Sequence, residues 1–342
     1  MASKRSAGPI TLKDVAREAN VSYQTVSRAV NGFPEVSPET RARVLRIAER
    51  MGYRPNRLAG SLRTNQTKVL GLVMSDIENV FFTEIVGGVE AEAAQQGYSV
   101  ILANTHEDIE RERGVVTSLL ERRVDGLIIA PAAGSNRYLV SLVPKKFPIV
   151  AINRSLEGVP CGAVLTDNVG GAQRGVEYLA SRNHKRIGAI VGSPELMTSR
   201  ERLQGFQAAM KVAGLTVRKE WISFAGVFPE GGRRAAVKMF RTSERPSAVL
   251  TSSSRLSQGV LLGLKELGLH HGRDVEVIGF DDFPWAALLD PPMAVIAQPT
   301  QQIGRRAVRM LTEMISGSGI PSLIRLPTRL ITHQEAELSL SA

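Results

Sequence analysis

Apolar residues recur along this chain with two different periods, and the change of period divides it. In residues 11–51 they come at helical spacing in three short stretches. These are Leu12, Val15, Ala16 and Ala19; then Val26, Ala29 and Val30; then Val44, Leu45, Ile47, Ala48 and Met51. Each set is the stripe of a short amphipathic helix. The punctuation agrees: Thr11 followed three residues later by Asp14 has capping-box spacing, and Asn20 tolerates the left-handed conformation of a tight turn. Val21 fills the corner and Ser22 caps the second helix. Ser37-Pro38-Glu39 starts the third, with proline at the first helical position, and Gly52 ends it. Two short helices joined by a three-residue turn predict a helix-turn-helix, with the third helix packed on the pair.

From Lys68 the pattern changes. Apolar runs at 69–74, 98–103, 126–130 and 149–153 alternate with amphipathic stretches near 82–96 and 108–122. The alternation restarts with a helix near 170–181, a run at 186–192 and a helix near 200–213. A run at 247–251, a helix at 256–267 and a run at 275–282 follow. Strand–helix alternation of this kind predicts an α/β body of doubly wound parallel sheets, and two successive sets predict two similar lobes. Ligands in such folds sit at the carboxyl ends of the strands, here in a cleft between the lobes. A closing helix at 301–317 presents Ile303, Ala307, Met310, Leu311 and Met314, a set wide enough to serve both the core and a subunit contact.

The expected boundaries are a headpiece at 1–53, a hinge helix and linker at 54–67, and a body at 68–342. Within the body, the N-lobe takes 68–166 plus 297–330 and the C-lobe takes 167–296. The linker has too few apolar residues to pack by itself, and an isolated helix of that length is marginal in water. Ala59 and Leu62 share one face, flanked by Arg57 and Arg63. That arrangement suits an apolar wedge in a DNA minor groove between phosphate-bound arginines.

Charge sharpens the picture for the first segment. The net charge is +10, but residues 1–66 hold twelve Lys+Arg against five Asp+Glu, while the remaining residues hold 31 against 28. A basic module on a nearly neutral body predicts a polyanionic partner. On the second helix, Tyr23, Gln24, Ser27 and Arg28 point away from the apolar stripe. Arginine bonds bidentately to guanine and glutamine to adenine, and tyrosine serves a base or a phosphate.

Other chemistry is unsupported. No apolar run approaches the roughly 18 residues of a membrane span. Lys4 and Arg5 have no apolar stretch behind them, so the first residues do not read as a secretory signal. The expectation is a cytoplasmic chain without membrane partners. Cys161 is the single cysteine and reads as a packing residue; the five histidines lack metal-ligand spacing. No phosphate-binding glycine loop occurs, and Asp281-Asp282 are adjacent and diverge. No enzyme activity and no cofactor are expected.

Residues 10–65 resemble the headpiece of the lac repressor (LacI/GalR) family. The likeness lies in the DVAREANVSYQTVSRAVN stretch, the VSPETRARV helix and the GYRPNRLAGSLRT hinge. It continues through the body in GLVMSDIENVFFTEIVGGVE, TDNVGGAQRGVEYL, HKRIGAIVG, SRERLQGF and VIGFDD. The resemblance implies a periplasmic-binding-protein-like body and a homodimeric regulator, most often a repressor. A small-molecule effector (a sugar, sugar acid or polyol) would set its affinity for a pseudo-palindromic double-stranded DNA operator. It implies a DNA-facing set of Thr11, Ser22, Tyr23, Gln24, Thr25, Ser27, Arg28 and Asn31, joined from the hinge by Asn56, Arg57, Ala59 and Leu62. Gly60 departs from a good hinge helix, since glycine costs about 1 kcal/mol relative to alanine there.

In the cleft the resemblance implies Asn79, Phe81, Phe82, Arg154, Asp167, Arg200, Phe228, Ser253, Asp281 and Gln298 as effector contacts. A charged fork and a carboxylate suit polyol hydroxyls, while aromatic rings cover C–H faces. Where the family commonly has Asn-Asp, this chain has SSSR at 252–255. Losing that carboxylate alters the effector that fits, and Arg255 is expected to favour an anionic one. No leucine heptad follows Leu330, so a dimer is expected and not a tail-tethered tetramer. A sugar-transport protein, an enzyme with a regulatory headpiece and a non-sensing architectural DNA-binder are the alternatives.

Overall fold

The computed structural model describes residues 10–53 and 66–332, and the chain divides between Thr67 and Lys68 into two compact units. The hinge residues Asn56, Arg57, Ala59, Gly60, Leu62 and Arg63 lie outside the described residues.

The first unit contains α1 (Leu12–Ala19), α2 (Tyr23–Val30) and α3 (Pro38–Arg50). Thr11 and Asp14 form the full reciprocal capping box, the Thr11 backbone N–H donating to Asp14 at 3.0 Å. That hydrogen bond and its partner from the Thr11 hydroxyl hold the Asp14 carboxyl below its ordinary range. Asn20 ends α1 at φ 50°, the left-handed turn that lets α2 leave at a steep angle. Ser22 and Ser37 accept from the Thr25 and Thr40 amides. Val15, Ala16, Ala19, Val26, Ala29, Val36, Val44 and Ala48 close one small core. Alanines at the α1–α2 crossing allow the close approach.

In the second unit β1 (Val69–Met74), β2 (Ser99–Asn104), β3 (Gly126–Ile129), β4 (Ile149–Ile152), β5 (Gly162–Thr166) and β11 (Leu323–Leu326) form one sheet in the order β11-β5-β4-β3-β1-β2, every pair parallel. The second sheet has the order β12-β10-β9-β8-β6-β7. Its strands are β6 (Ile187–Val191), β7 (Ile222–Phe224), β8 (Ala248–Thr251), β9 (Glu276–Phe280), β10 (Val295–Ala297) and β12 (Arg329–Ile331). The first five strands of both sheets follow the same 2-1-3-4-5 winding, whose switch point lies beside the first strand.

The helices are α4 (Val80–Gln95), α5 (Ile109–Glu121), α6 (Tyr138–Leu142), α7 (Asn168–Ser181), α8 (Met197–Val212), α9 (Pro229–Phe240), α10 (Ser254–Glu266) and α11 (Thr300–Ser316). Buried strands of continuous apolar character, such as Val69–Met74, are what coverage on both sheet faces requires. Among the described residues no helix is long and apolar enough to cross a membrane.

Three differences from the sequence expectations have physical causes. The second sheet is not wholly parallel, because β12 pairs antiparallel with β10. The N-lobe also does not run on to residue 330. After β11 the chain passes back into the second sheet, and a three-residue strand is too short to announce itself by alternation. Lastly, Ile303, Ala307, Met310 and Leu311 are all buried in the core over the first sheet. The apolar stripe of α11 is therefore consumed by its own lobe and none of those four is left for a subunit contact. The packing is tight: a Cβ on Gly304 would lie 2.5 Å from the Ile85 carbonyl oxygen, and one on Gly88 2.5 Å from that of Gln301. Helix α9 was invisible in the sequence because two glycines open it. A Cβ at Gly231 would overlap the Ala225 carbonyl.

Candidate functional site

On the headpiece, α2 presents one polar face to solvent. Tyr23, Gln24 and Arg28 are exposed, while Val26 and Ala29 on the other side are buried. Thr11 and Ser22 are exposed but serve as helix caps. Thr25 is half-buried, its hydroxyl 2.9 Å from that of Ser22. Asn31 turns its amide back on the Ser27 carbonyl at 2.6 Å, and Ser27 is half-buried. Gln24, Arg28 and Asn31 stand at i, i+4 and i+7, one ridge along the helix. Gln24 and Arg28 are two exposed long donors on this ridge, as base-edge reading requires, whereas the Asn31 amide is occupied by the Ser27 carbonyl.

In the body, a cleft of about 60 Å³ lies between the two sheets. Its walls come from the segments that follow strand carboxyl ends. Asp76 and Asn79 follow β1, Glu107 follows β2, and Asn153 and Arg154 follow β4. From the second lobe, Gly192 follows β6, Gly226 and Val227 follow β7, Ser252 and Ser253 follow β8, and Asp281 follows β9. Gln298 follows β10, and Leu196, Thr198, Ser199 and Arg202 come from the start of α8. This convergence follows from the winding of the two sheets. Three of these non-glycine wall residues lie in the left-handed region, Glu107 at φ 59°, Asn153 at φ 64° and Asp281 at φ 75°. Backbone in that region is held only where surrounding structure over-determines it.

Of the residues expected there, the structure brings together Asn79, Phe81, Phe82, Arg154, Ser253, Asp281 and Gln298. Phe81 and Phe82 meet edge to face at 5.0 Å and form the apolar part of the wall. Three expected residues are elsewhere. Asp167 accepts from the Gly170 amide at 2.9 Å and pairs with Arg174; it closes the N-terminus of α7 and does not line the cleft. Phe228 is half exposed at the start of α9, and the neighbouring Val227 lines the wall in its place.

Arg200 points out of the cleft, donating to the carbonyls of Pro194 at 3.1 Å and Glu195 at 2.6 Å. It lines an adjoining cavity of about 410 Å³. The arginine in the cleft is Arg202. On a helix the two are about 200° apart, and Arg202 lies on the side of Gly205, Phe206 and Ala209, all buried. That i, i+3, i+4, i+7 spacing was the signal available in the sequence. No sequence signal marked Asp76, Glu107 or Asn153.

The charges of the cleft are nearly all answered within the protein. Arg154 makes a bidentate pair with Glu107, both bonds 2.7 Å, and also donates to the Pro131 carbonyl. Asp281 accepts from the Ser254 amide at 2.9 Å and from Gln298 at 2.6 Å. Arg255 does not stand free to attract an anion: its guanidinium lies 3.3 Å from Asp76 and 3.2 Å from Glu78.

Arg202 is the exception. It donates to the Asn168 side chain at 2.8 Å and to the Ser252 carbonyl, and stacks 4.0 Å from the Phe280 ring centroid. With neutral acceptors only, burial lowers its pKa to about 10, the nearby Asp281 charge partly opposing that. The Gln298 carbonyl oxygen is buried with no hydrogen-bond partner. A wall with an under-neutralised fork, an occupied carboxylate, an open amide acceptor and two rings can hold a small polyhydroxylated molecule by its hydroxyls and its C–H face.

Both parts of the chain resemble known proteins. The family model for periplasmic binding proteins and the sugar binding domain of the LacI family matches residues 67–335. That for bacterial regulatory proteins of the lacI family matches residues 11–56. Catabolite control protein A of Priestia megaterium is 32% identical, over 96% of this chain and 99% of that protein. A crystal structure of a Burkholderia thailandensis protein described as a ribose operon repressor is 56% identical. It covers 78% of this chain and 99% of its own, with a TM-score of 0.74. The lac repressor dimer bound to operator and the anti-inducer ONPF is 27% identical. It covers 95% of this chain and 98% of its own, with a TM-score of 0.84.

Proposed function

Since the chain belongs to the lacI family of bacterial regulatory proteins, we propose that this DNA-binding regulator is a cytoplasmic homodimeric repressor that senses a small neutral sugar. Tyr23, Gln24 and Arg28 read base edges in the major groove of a pseudo-palindromic operator, with Thr11, Ser22, Thr25, Ser27 and Asn31 placing or contacting the backbone. From the hinge, Asn56, Arg57 and Ala59 join them and Leu62 wedges the minor groove. The effector occupies the cleft between the lobes and shifts the balance between two lobe angles, changing operator affinity by a coupling free energy of about 1–3 kcal/mol. The cleft senses and performs no catalysis.

The observation that carries the effector class is the charge balance of the cleft. Arg154 is matched by Glu107 and Arg255 by Asp76. Arg202 faces the field of Asp281. Among the described cations of the cleft, Arg202 alone lacks a carboxylate within hydrogen-bond distance, and the charge of Asp281 lies near it; hydroxyls can donate to Gln298 and accept from Arg202. The Burkholderia relative described as a ribose operon repressor makes ribose the first effector to try.

The test is calorimetric titration with ribose, other pentoses, hexoses, sugar acids and sugar phosphates, followed by operator binding at fixed salt with each ligand found. Tight binding of a neutral pentose that alters operator affinity supports the reading. Preference for a phosphorylated or carboxylated sugar removes it.

A further inference from the structure

The cleft is narrow, and polar contacts of the protein run across it. The first turn of α10, in the C-lobe, reaches across to the loop between β1 and α4, in the N-lobe. Arg255 lies 3.3 Å from the Asp76 carboxylate and 3.2 Å from that of Glu78. Beside it the Ser254 hydroxyl donates to the Asn79 side chain at 3.1 Å. The Arg255 side chain is only 20% exposed and that of Asp76 10%, so solvent weakens the pair less than it would on an open surface. Near the point where the chain passes between lobes, Arg325 of β11 meets Glu201 of α8 at 2.8 Å. That contact sits where the lobes are already joined covalently, and opening the cleft need not break it. The Arg255 and Ser254 contacts join side chains of opposite lobes and do not survive separation of the lobes at that edge.

We propose that Arg255 is a specificity-determining residue that ties the two lobes together and removes Asp76 from the effector's reach. Both consequences come from one side chain. A carboxylate that lines the cleft would otherwise accept from a ligand hydroxyl; neutralised by Arg255, it leaves Asp281 as the acid facing the sugar. Because the clasp bridges the lobes, its strength adds to the free energy of closure and so helps set the effector concentration needed for a response. The regulatory consequence rests on the cleft being the effector site; the closure itself does not.

The experiment therefore reads closure without any sugar. Spin labels at Arg122→Cys and Arg241→Cys, exposed positions in the two lobes, on a Cys161→Ser background, report the interlobe distance by pulsed electron resonance. Arg255→Glu places three carboxylates together and should raise the open population about fivefold or more. Adding Glu78→Arg to that variant should return the distribution toward the parent. Arg255→Gln should open the lobes to a smaller extent and is read if Arg255→Glu melts below the working temperature. Distances identical in parent, Arg255→Glu and Arg255→Gln overturn the clasp, and so does opening that Glu78→Arg does not reverse. A sugar panel without hits would remove the effector reading and leave these distances unaffected.

Discussion

Arg202→Met separates a ligand-binding role for this arginine from a structural one. In the native protein burial disfavours the charge and lowers its pKa to about 10. That shift corresponds to roughly 3 kcal/mol against the charged form. Opposing it are two hydrogen bonds from a cation, to Asn168 and to the Ser252 carbonyl, worth about 1.5–3 kcal/mol each. Stacking on Phe280 adds about 1–2 kcal/mol. Methionine removes the burial penalty, keeps an apolar contact with the ring, and strands two acceptors. The terms partly offset one another, so the folded state should lose about 1–5 kcal/mol in a urea titration. The bound effector has no such compensation. Losing a charged donor in a desolvated site costs about 3 kcal/mol or more, a rise in Kd of at least about 100-fold. Unchanged sugar affinity in the variant, together with a stability loss above about 5 kcal/mol, would refute the reasoning and make Arg202 a structural residue.

Three further outcomes are expected. Arg28→Ala should reduce specific operator binding by about 1–3 kcal/mol and leave nonspecific affinity nearly intact; an unchanged operator preference in a competition gel removes Arg28 from base reading. Gly304→Ala would drive a Cβ into the backbone of α4, 2.5 Å from the Ile85 oxygen. Overpacking of about 1–3 kcal/mol should exceed the helix-propensity gain of about 1 kcal/mol and lower the denaturation midpoint, whereas a raised midpoint would show that the helices yield. Glu92 accepts from Arg309 at 2.8 and 3.0 Å, and this pairing holds its carboxyl below the ordinary value of 4.5. The pair stabilises the fold above that value and ceases to as pH falls through the lowered pKa. Glu92→Gln should therefore flatten the acid limb of the stability curve; limbs of equal slope would contradict this.

The contrast between Arg200 and Arg202 shows where sequence reading succeeds and where it stops. Local features were legible because their causes are local. The Thr11–Asp14 box, the left-handed Asn20 and the serine caps of α2 and α3 follow from side chains three residues apart or fewer. The strand runs were legible because burial on both faces demands continuous apolar residues. The cleft arginine was legible too, but only through helical phase: Arg202, Gly205, Phe206 and Ala209 form one stripe, and Arg200 falls off it. A likeness between short motifs does not carry that phase. Glu107, Asp76 and Asn153 gave no signal, since each follows a strand in a loop with no period of its own. Their partners, Arg154 for Glu107 and Arg255 for Asp76, are 47 and 179 residues away.

That gap has a consequence for how effector chemistry should be inferred in such clefts. Counted from sequence, Arg255 in place of a familiar acid reads as an added positive charge and predicts an anionic ligand. Placed in the fold, it meets Asp76 and Glu78, and the added charge is cancelled by the opposite lobe. A cation on one lobe is available to the ligand only if the other lobe leaves it unpaired, and here Arg202, with its neutral acceptors, is the one that comes nearest to that condition. Selectivity in this cleft should therefore depend on the geometry of hydroxyls around Arg202, Asp281 and Gln298 more than on the net charge of the effector.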